Sequence, residues 1–180
     1  MSPDDLLAAV SGLRAISANL GALVDGPNSV THVIRQLELA VQEINRGAEA
    51  GSVKLEQAIK TSVTSATGGV IDVNRIVDVI SERVIQGFKT QIHIETKTGT
   101  ANILSTLDLG QLQQDAALAI QKGVENGRRA LVNIWDLAGF DLSKPENQGA
   151  IKAQLTTLKN QRSEERRVGK ECRSRWSPYH

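Results

Sequence analysis

Histidine, cysteine and acidic side chains are the groups through which this chain of 180 residues could carry out catalysis or hold a metal. It contains three histidines and one cysteine, Cys172. Neither His32 nor His93 belongs to an HExxH motif or forms an i, i+4 pair with a carboxylate, which are the common spacings of metal ligands on helices. We therefore interpret both as surface or half-buried histidines. The sequence predicts no catalytic residue, no metal ligand and no cofactor.

The acidic and basic pairs have equally plain interpretations. Asp4 and Asp5 are typical of the first turn of a helix, and Asp72 and Asp78 are interpreted as the solvated edge of a later helix. The pair at 128–129, two arginines, is interpreted as a solvated helix face rather than a phosphate clamp. The glycines do not form a GxxxxGK[ST] loop, and no serine lies in a GxSxG elbow.

The composition favours a domain built from packed helices. Aromatic residues make up only 3% of the chain, so a core must come from aliphatic side chains. The formal net charge of +1 carries no electrostatic signature of nucleic-acid binding. We expect an all-α fold, an antiparallel bundle of five or six helices. The expected helices begin at Ser2 and at Asn28 or Ser29, span 52–65, 69–94 and 108–138, and begin again after Ser143.

The densest run of branched apolar residues, Gly69–Ile94, is the centre of this predicted bundle. On a helical wheel most of its Val and Ile residues share one broad face, and Arg75 lies opposite. Two residues do not fit that face, because Val79 points to the polar side and Ile76 to the flank. Together with Trp135, they are the predicted interface residues, since a large aromatic is favoured at binding hot spots. The alternation that follows predicts either a small β-hairpin or a loop at 91–104.

The composition changes abruptly after Gln161. The segment RSEERRVGKECRSRWSPYH, Arg162–His180, contains Cys172 and the single tyrosine of the chain. It resembles, residue for residue, the translation of a common short-read sequencing adapter. The resemblance implies an assembly artefact: a domain at 1–161 that is truncated at its C-terminus, followed by a basic and disordered tail at 162–180 that carries no functional information.

No segment predicts export or membrane insertion. The N-terminal MSPDD is acidic where a secretory signal is basic, and no uncharged apolar run reaches the roughly 18 residues of a spanning helix. The expected protein is soluble and, by default, cytoplasmic.

The function expected from these features is a non-enzymatic helical interaction or scaffold domain, with a protein partner or a second copy and no small-molecule ligand. Two alternatives remain open. One is a membrane-active, pore-forming-like helical protein, suggested by the apolar run and the region 91–104. The other is the N-terminal part of an enzyme whose catalytic part is missing.

Overall fold

The computed structural model describes residues 2–4, 10, 14, 28–49, 51–64, 68–98, 103–125 and 127–176. Near the N-terminus, Pro3, Asp4, Val10 and Arg14 are helical. The other residues predicted for the first helix after Ser2 lie outside the described residues. The later elements, in chain order, are α1 Val30–Asn45, β1 Lys54–Thr64, β2 Val70–Ile85, β3 Phe88–Thr96, α2 Ile103–Thr106, α3 Leu109–Lys122, β4 Val124–Glu125, β5 Arg128–Arg129, β6 Leu131–Asp136 and α4 Pro145–Trp176.

The prediction of an all-α bundle is wrong, because the fold is mixed α/β. Four strands form a sheet in the order β1-β2-β3-β6. The first three strands are an antiparallel meander, and β6 returns parallel to β3 after a crossover that contains α2 and α3. The short strands β4 and β5 form a separate antiparallel hairpin within that crossover.

The stretch 69–94 is a β-hairpin rather than a helix. Its many Val and Ile side chains favour strands, and a two-residue turn at Gln86 and Gly87 reverses the chain between Ile85 and Phe88. The helical-wheel prediction was wrong because it assumed that charged side chains face solvent. Arg75 is only 6% exposed and its Nε lies 3.3 Å from Asp115 Oδ1.

Three further sequence-based assignments change. The segment predicted as a helix at 52–65 is β1. The helix predicted at 108–138 ends at Lys122, after which the chain forms the β4–β5 hairpin and β6, so the pair at 128–129 lies on β5 and not on a helix. The hairpin suggested for 91–104 does not form, because β3 pairs with β2 and β6 and residues 103–106 are helical.

Two helix starts are confirmed. Ser29 caps α1, its side chain accepting a hydrogen bond from the backbone N–H of His32. The cap signature after Ser143 precedes α4, which begins at Pro145 and continues to Trp176, through most of the segment that resembles an adapter. The origin of that segment stays a prediction.

The core consists of three apolar clusters. The first lies between α1 and the sheet and includes Leu39, Leu55, Val79, Ile92 and Ile94. The second joins α3 to the β1–β2 ribbon through Val63, Val73 and Leu118, together with Leu131 of β6. The third, around Ile103, Leu107 and Leu112, packs against α4.

Along β1 and along β2, odd-numbered residues contact α3 in one part of the strand and α1 in another. In β2, Val73 packs with α3 whereas Val79 packs with α1. In β1, Leu55 belongs to the α1 cluster whereas Val63 belongs to the α3 cluster. The two helices cover opposite faces of the sheet, since Leu131 of β6 packs with the α3 cluster and its neighbour Val132 with the α1 cluster. A regular strand keeps alternate residues on one face, so both β1 and β2 change phase between these positions. Glu56 has the positive φ of 50° in this interval.

Candidate functional site

A histidine, a glutamate and an aspartate lie close together at the point where strands β1 and β2 change phase. His32, Glu56 and Asp78 each offer a ligand atom within 4.8 Å of the others, and we call these three residues the His–acid cluster. His32 Nε2 lies 3.1 Å from Asp78 Oδ1, and His32 Nδ1 lies 3.3 Å from the hydroxyl of Thr98.

Two amide side chains complete the cluster. Gln36 Nε2 donates to Glu56 Oε1 at 2.6 Å and to Asp78 Oδ1 at 3.0 Å. Asn28 Nδ2 donates to the same Glu56 oxygen at 2.5 Å. The Gln36 side chain is fully buried, and its Oε1 has no hydrogen-bond partner among the residues that the structure describes. A buried carbonyl oxygen without a partner is uncommon in a folded protein.

Local structure explains why these side chains converge. The Ser29 cap fixes the start of α1, so His32 and Gln36, four residues apart, lie on the same side of the helix. Glu56 has a left-handed backbone conformation that costs roughly 1 to 2 kcal/mol for a residue with a side chain. Asp78 lies at the phase change of β2, and its Oδ2 accepts a hydrogen bond from the backbone N–H of Thr96 at 2.8 Å.

The His–acid cluster lies in the wall of a cavity of about 530 Å³. Glu95, Lys97 and Asp108 also line this cavity. Burial raises the pKa of Glu95, and the nearby charge of Asp78 raises it further, against the opposing effect of Lys97. Acidic groups outnumber basic ones in the lining, so the cavity favours a cation.

A second layer of contacts supports the cavity from β6. Arg35 Nη2 and Nε lie 2.8 and 2.9 Å from the two carboxylate oxygens of Asp136, and the Thr96 hydroxyl donates to Asp136 at 2.7 Å. Burial by itself would raise the pKa of Asp136, but the hydrogen bonds from Arg35 and Thr96 lower it overall. The bidentate pair fixes α1 against the end of β6, beside Thr96 of β3, whose backbone N–H holds Asp78.

The three predicted interface residues occupy different environments. Ile76 is 60% exposed and lies at the edge of the same cavity. Val79 is fully buried in the cluster under α1. Trp135 is half-buried and donates from Nε1 to Asp115 at 2.9 Å. The structure does not bring the three together, and their role as interface residues stays a prediction.

Sequence reasoning missed the site because it treated its members separately. His32 and Asp78 are 46 residues apart in the chain, and each alone is unremarkable. One signal was available, since Asp78 interrupts the most apolar run of the sequence. A carboxylate that remains inside such a run needs a partner there.

The chain was compared with models of protein families, with curated proteins and with solved structures, and none of them matches it. In the part of the chain that the structure describes, no helix combines the length and the apolar character needed to cross a membrane.

Proposed function

We propose that this chain is a cation-binding domain, in which His32, Glu56 and Asp78 hold a divalent metal ion. The observation that carries the proposal is the convergence of one imidazole nitrogen and two carboxylates within 4.8 Å at the wall of an acidic cavity. Mixed nitrogen and oxygen ligands suit ions such as Zn²⁺ and Mn²⁺.

The charges of the cluster support a cation. Among the described residues, no Lys or Arg forms an ion pair with Glu56 or Asp78; their partners are His32, amide groups and the Thr96 backbone N–H. Asp78 is buried, and a buried carboxylate is normally paired with a cation or coordinates a metal. A divalent ion would supply a permanent positive charge in direct contact with both carboxylates.

Gln36 is the second, independent support. Its amide nitrogen contacts both carboxylates, while its buried Oε1 finds no hydrogen-bond partner in the described part of the chain. Once a cation occupies the carboxylates, the amide is free to turn and offer this oxygen as a ligand or as an acceptor for a metal-bound water. Because three side chains leave coordination positions open, the ion would face the cavity.

Metal titration tests the proposal. Isothermal titration with Zn²⁺, Mn²⁺, Mg²⁺ and Ca²⁺, together with thermal unfolding, should show one ion bound per chain and a higher midpoint with the preferred ion. Asp78→Asn should weaken binding by more than about tenfold because it removes a charged ligand. The matched control is Asp72→Asn, the same change at an exposed residue of the same strand, and it should bind like the wild type.

Glu56→Gln provides a second variant at a less buried position, in case Asp78→Asn unfolds the chain. No saturable binding of any of the four ions to the wild type, or full binding by a folded Glu56→Gln variant, would overturn the proposal. Binding of Zn²⁺ without Mg²⁺ would assign the ion class, since the imidazole favours the softer metal.

A second candidate function is the protein-interaction domain expected from the sequence, with a second copy as its partner. It is supported by Val70 and Ile76, whose side chains are 69% and 60% exposed on β2. Light scattering across a range of protein concentrations discriminates it: a mass that rises above one chain supports self-association, and a constant monomer mass argues against it.

A further inference from the structure

A second cavity, of about 790 Å³, lies at the other end of the β2–β3 hairpin from the His–acid cluster. The cluster lies near Asp78 and Thr96, whereas this cavity is lined by Ile85 and Phe88, on either side of the hairpin turn. Arg128, Arg129 and Val132 also line it, together with Gln86, Thr90 and Gly127, and we call it the arginine pocket. Its volume falls in the range of ordinary small-molecule sites.

The arginine pocket is positively charged. Among the described residues, its lining contains two arginines and no acidic residue. Within the described residues, neither arginine forms an ion pair, whereas Arg35, Arg46, Arg75 and Arg83 all do. Both arginines line the same concave surface, so an anion bound there is stabilised by two positive charges.

The fold holds the arginines in place. Arg128 Cζ lies 5.9 Å from the centre of the Phe88 ring, in a cation–π contact. The β4–β5 hairpin that carries both arginines is attached to β3, because Gln91 N donates to Ala130 O at 2.8 Å and Thr90 Oγ1 to Arg129 O at 3.4 Å. Both side chains are exposed, and among the described contacts only the guanidinium of Arg128 has a side-chain partner; a guanidinium held in this way binds an anion at a smaller entropic cost than a mobile one.

Part of the pocket lining is apolar. Ile85, Phe88 and Val132 line it beside the charged groups. Binding sites for small molecules commonly combine such an apolar surface with a few polar groups that fix orientation. The matching ligand has an apolar or aromatic body and one anionic end.

We propose that the arginine pocket binds a small organic anion, with a carboxylate or phosphate held by Arg128 and Arg129 and an apolar body packed on Phe88 and Val132. Guanidinium groups bind both kinds of oxyanion through paired N–H donors. This site is separate from the metal site and does not depend on it.

Two-dimensional NMR titration with benzoate, phenyl phosphate, inorganic phosphate and the neutral benzamide tests the proposal. Benzoate or phenyl phosphate should bind saturably and shift the amide signals of residues 85–90 and 127–132, and affinity should fall as salt is added. Benzamide should bind about tenfold more weakly or not at all, because it lacks the charge. If benzoate binds more tightly than phenyl phosphate, the pocket prefers a carboxylate, and the reverse order shows that it prefers a phosphate.

Variants distinguish a site with specific contacts to the anion from non-specific attraction by positive charge. Arg128→Gln should lower the affinity about tenfold, and Arg128→Lys should restore it only in part, since lysine lacks the planar fork. Lys60→Gln, which removes one positive charge from β1, is the control and should bind like the wild type. Absence of binding, equal binding of benzamide, binding of inorganic phosphate alone, or equal loss in Lys60→Gln would overturn the proposal.

Discussion

His93 is a buried base in the middle of the sheet. It is 5% exposed, its Nε2 has no hydrogen-bond partner within the described residues, and burial lowers its pKa from 6.5 to about 4. The unfolded chain therefore binds a proton at this residue between pH 6.5 and 4 that the folded chain does not. Stability from this residue is complete above pH 6.5 and is lost as the pH falls through that window.

We expect the wild-type free energy of unfolding to fall by about 3 kcal/mol from His93 alone between pH 6.5 and 4. His93→Gln removes this titration, so the slope of stability against pH in that window should decrease. Urea unfolding followed by circular dichroism at a series of pH values measures it. An identical slope in both proteins would show that His93 is already protonated in the folded state.

Two buried carboxyl groups change the stability in the opposite direction. Burial raises the pKa of Asp115, against the effect of Arg75, and burial likewise raises the pKa of Glu95. Each keeps its proton in the folded state at pH values where the unfolded chain has released it. Stability from these two groups therefore decreases as the pH rises through that range.

For individual residues, the sequence predicts contacts between near neighbours in the chain better than contacts between residues far apart in it. Ser29 caps α1 through a hydrogen bond to a residue three positions away, and that spacing is visible in the sequence. Asp78 binds His32 across 46 residues, and Arg75 binds Asp115 across 40. Burial of these charges follows from their partners, which only the fold brings together.

Among the elements, the β2–β3 turn gives a direct test of the strand assignment. Gln86 and Gly87 have positive φ angles of 52° and 79°, and a Cβ at Gly87 would meet no atom within 4 Å. Gly87→Ala should therefore destabilise the fold by about 1 kcal/mol through backbone conformation alone. Gln86→Asn should stabilise it by roughly 0.5 kcal/mol, since Asn adopts positive φ more readily. Thermal unfolding measures both changes.

The control for this prediction is Gly149→Ala in α4. A Cβ at Gly149 would likewise meet no atom within 4 Å, but the φ of this residue is not positive. In a helix the same substitution should stabilise by up to about 1 kcal/mol. If Gly87→Ala also stabilised the chain, residues 86–87 would not form the turn described here.

The type of each element was predictable where a single signal dominated. A capping residue followed by an apolar stripe identified α1. For β2 two signals conflicted, since its Val and Ile content favours a strand while its spacing fits a helical wheel. The change of phase near Glu56 and Asp78 also removed the simple alternation that identifies strands. The Asn-Gly dipeptide at 126–127 is a hairpin signal that the helix assignment overlooked.

For the whole molecule, we expect residues 1–161 to fold without the rest of the chain. Among the described residues, the three core clusters include none beyond Leu158. A chain that ends at Gln161 should keep its thermal midpoint within about 2 °C. A chain that ends at Leu142 should lose stability, because Ile151 and Leu158 pack on the third cluster. A large drop for the first truncation would give the segment 162–176 a structural role.

The parallel pairing of β3 with β6 also has a consequence for the order of folding. Thr96 and Asp136 are 40 residues apart, whereas β1, β2 and β3 follow one another through short connections. During synthesis the three-stranded meander can form while the outer edge of β3 still lacks its neighbour. An open strand edge is prone to pair with other chains, so the interval before β6 leaves the ribosome is when this protein is most exposed to aggregation.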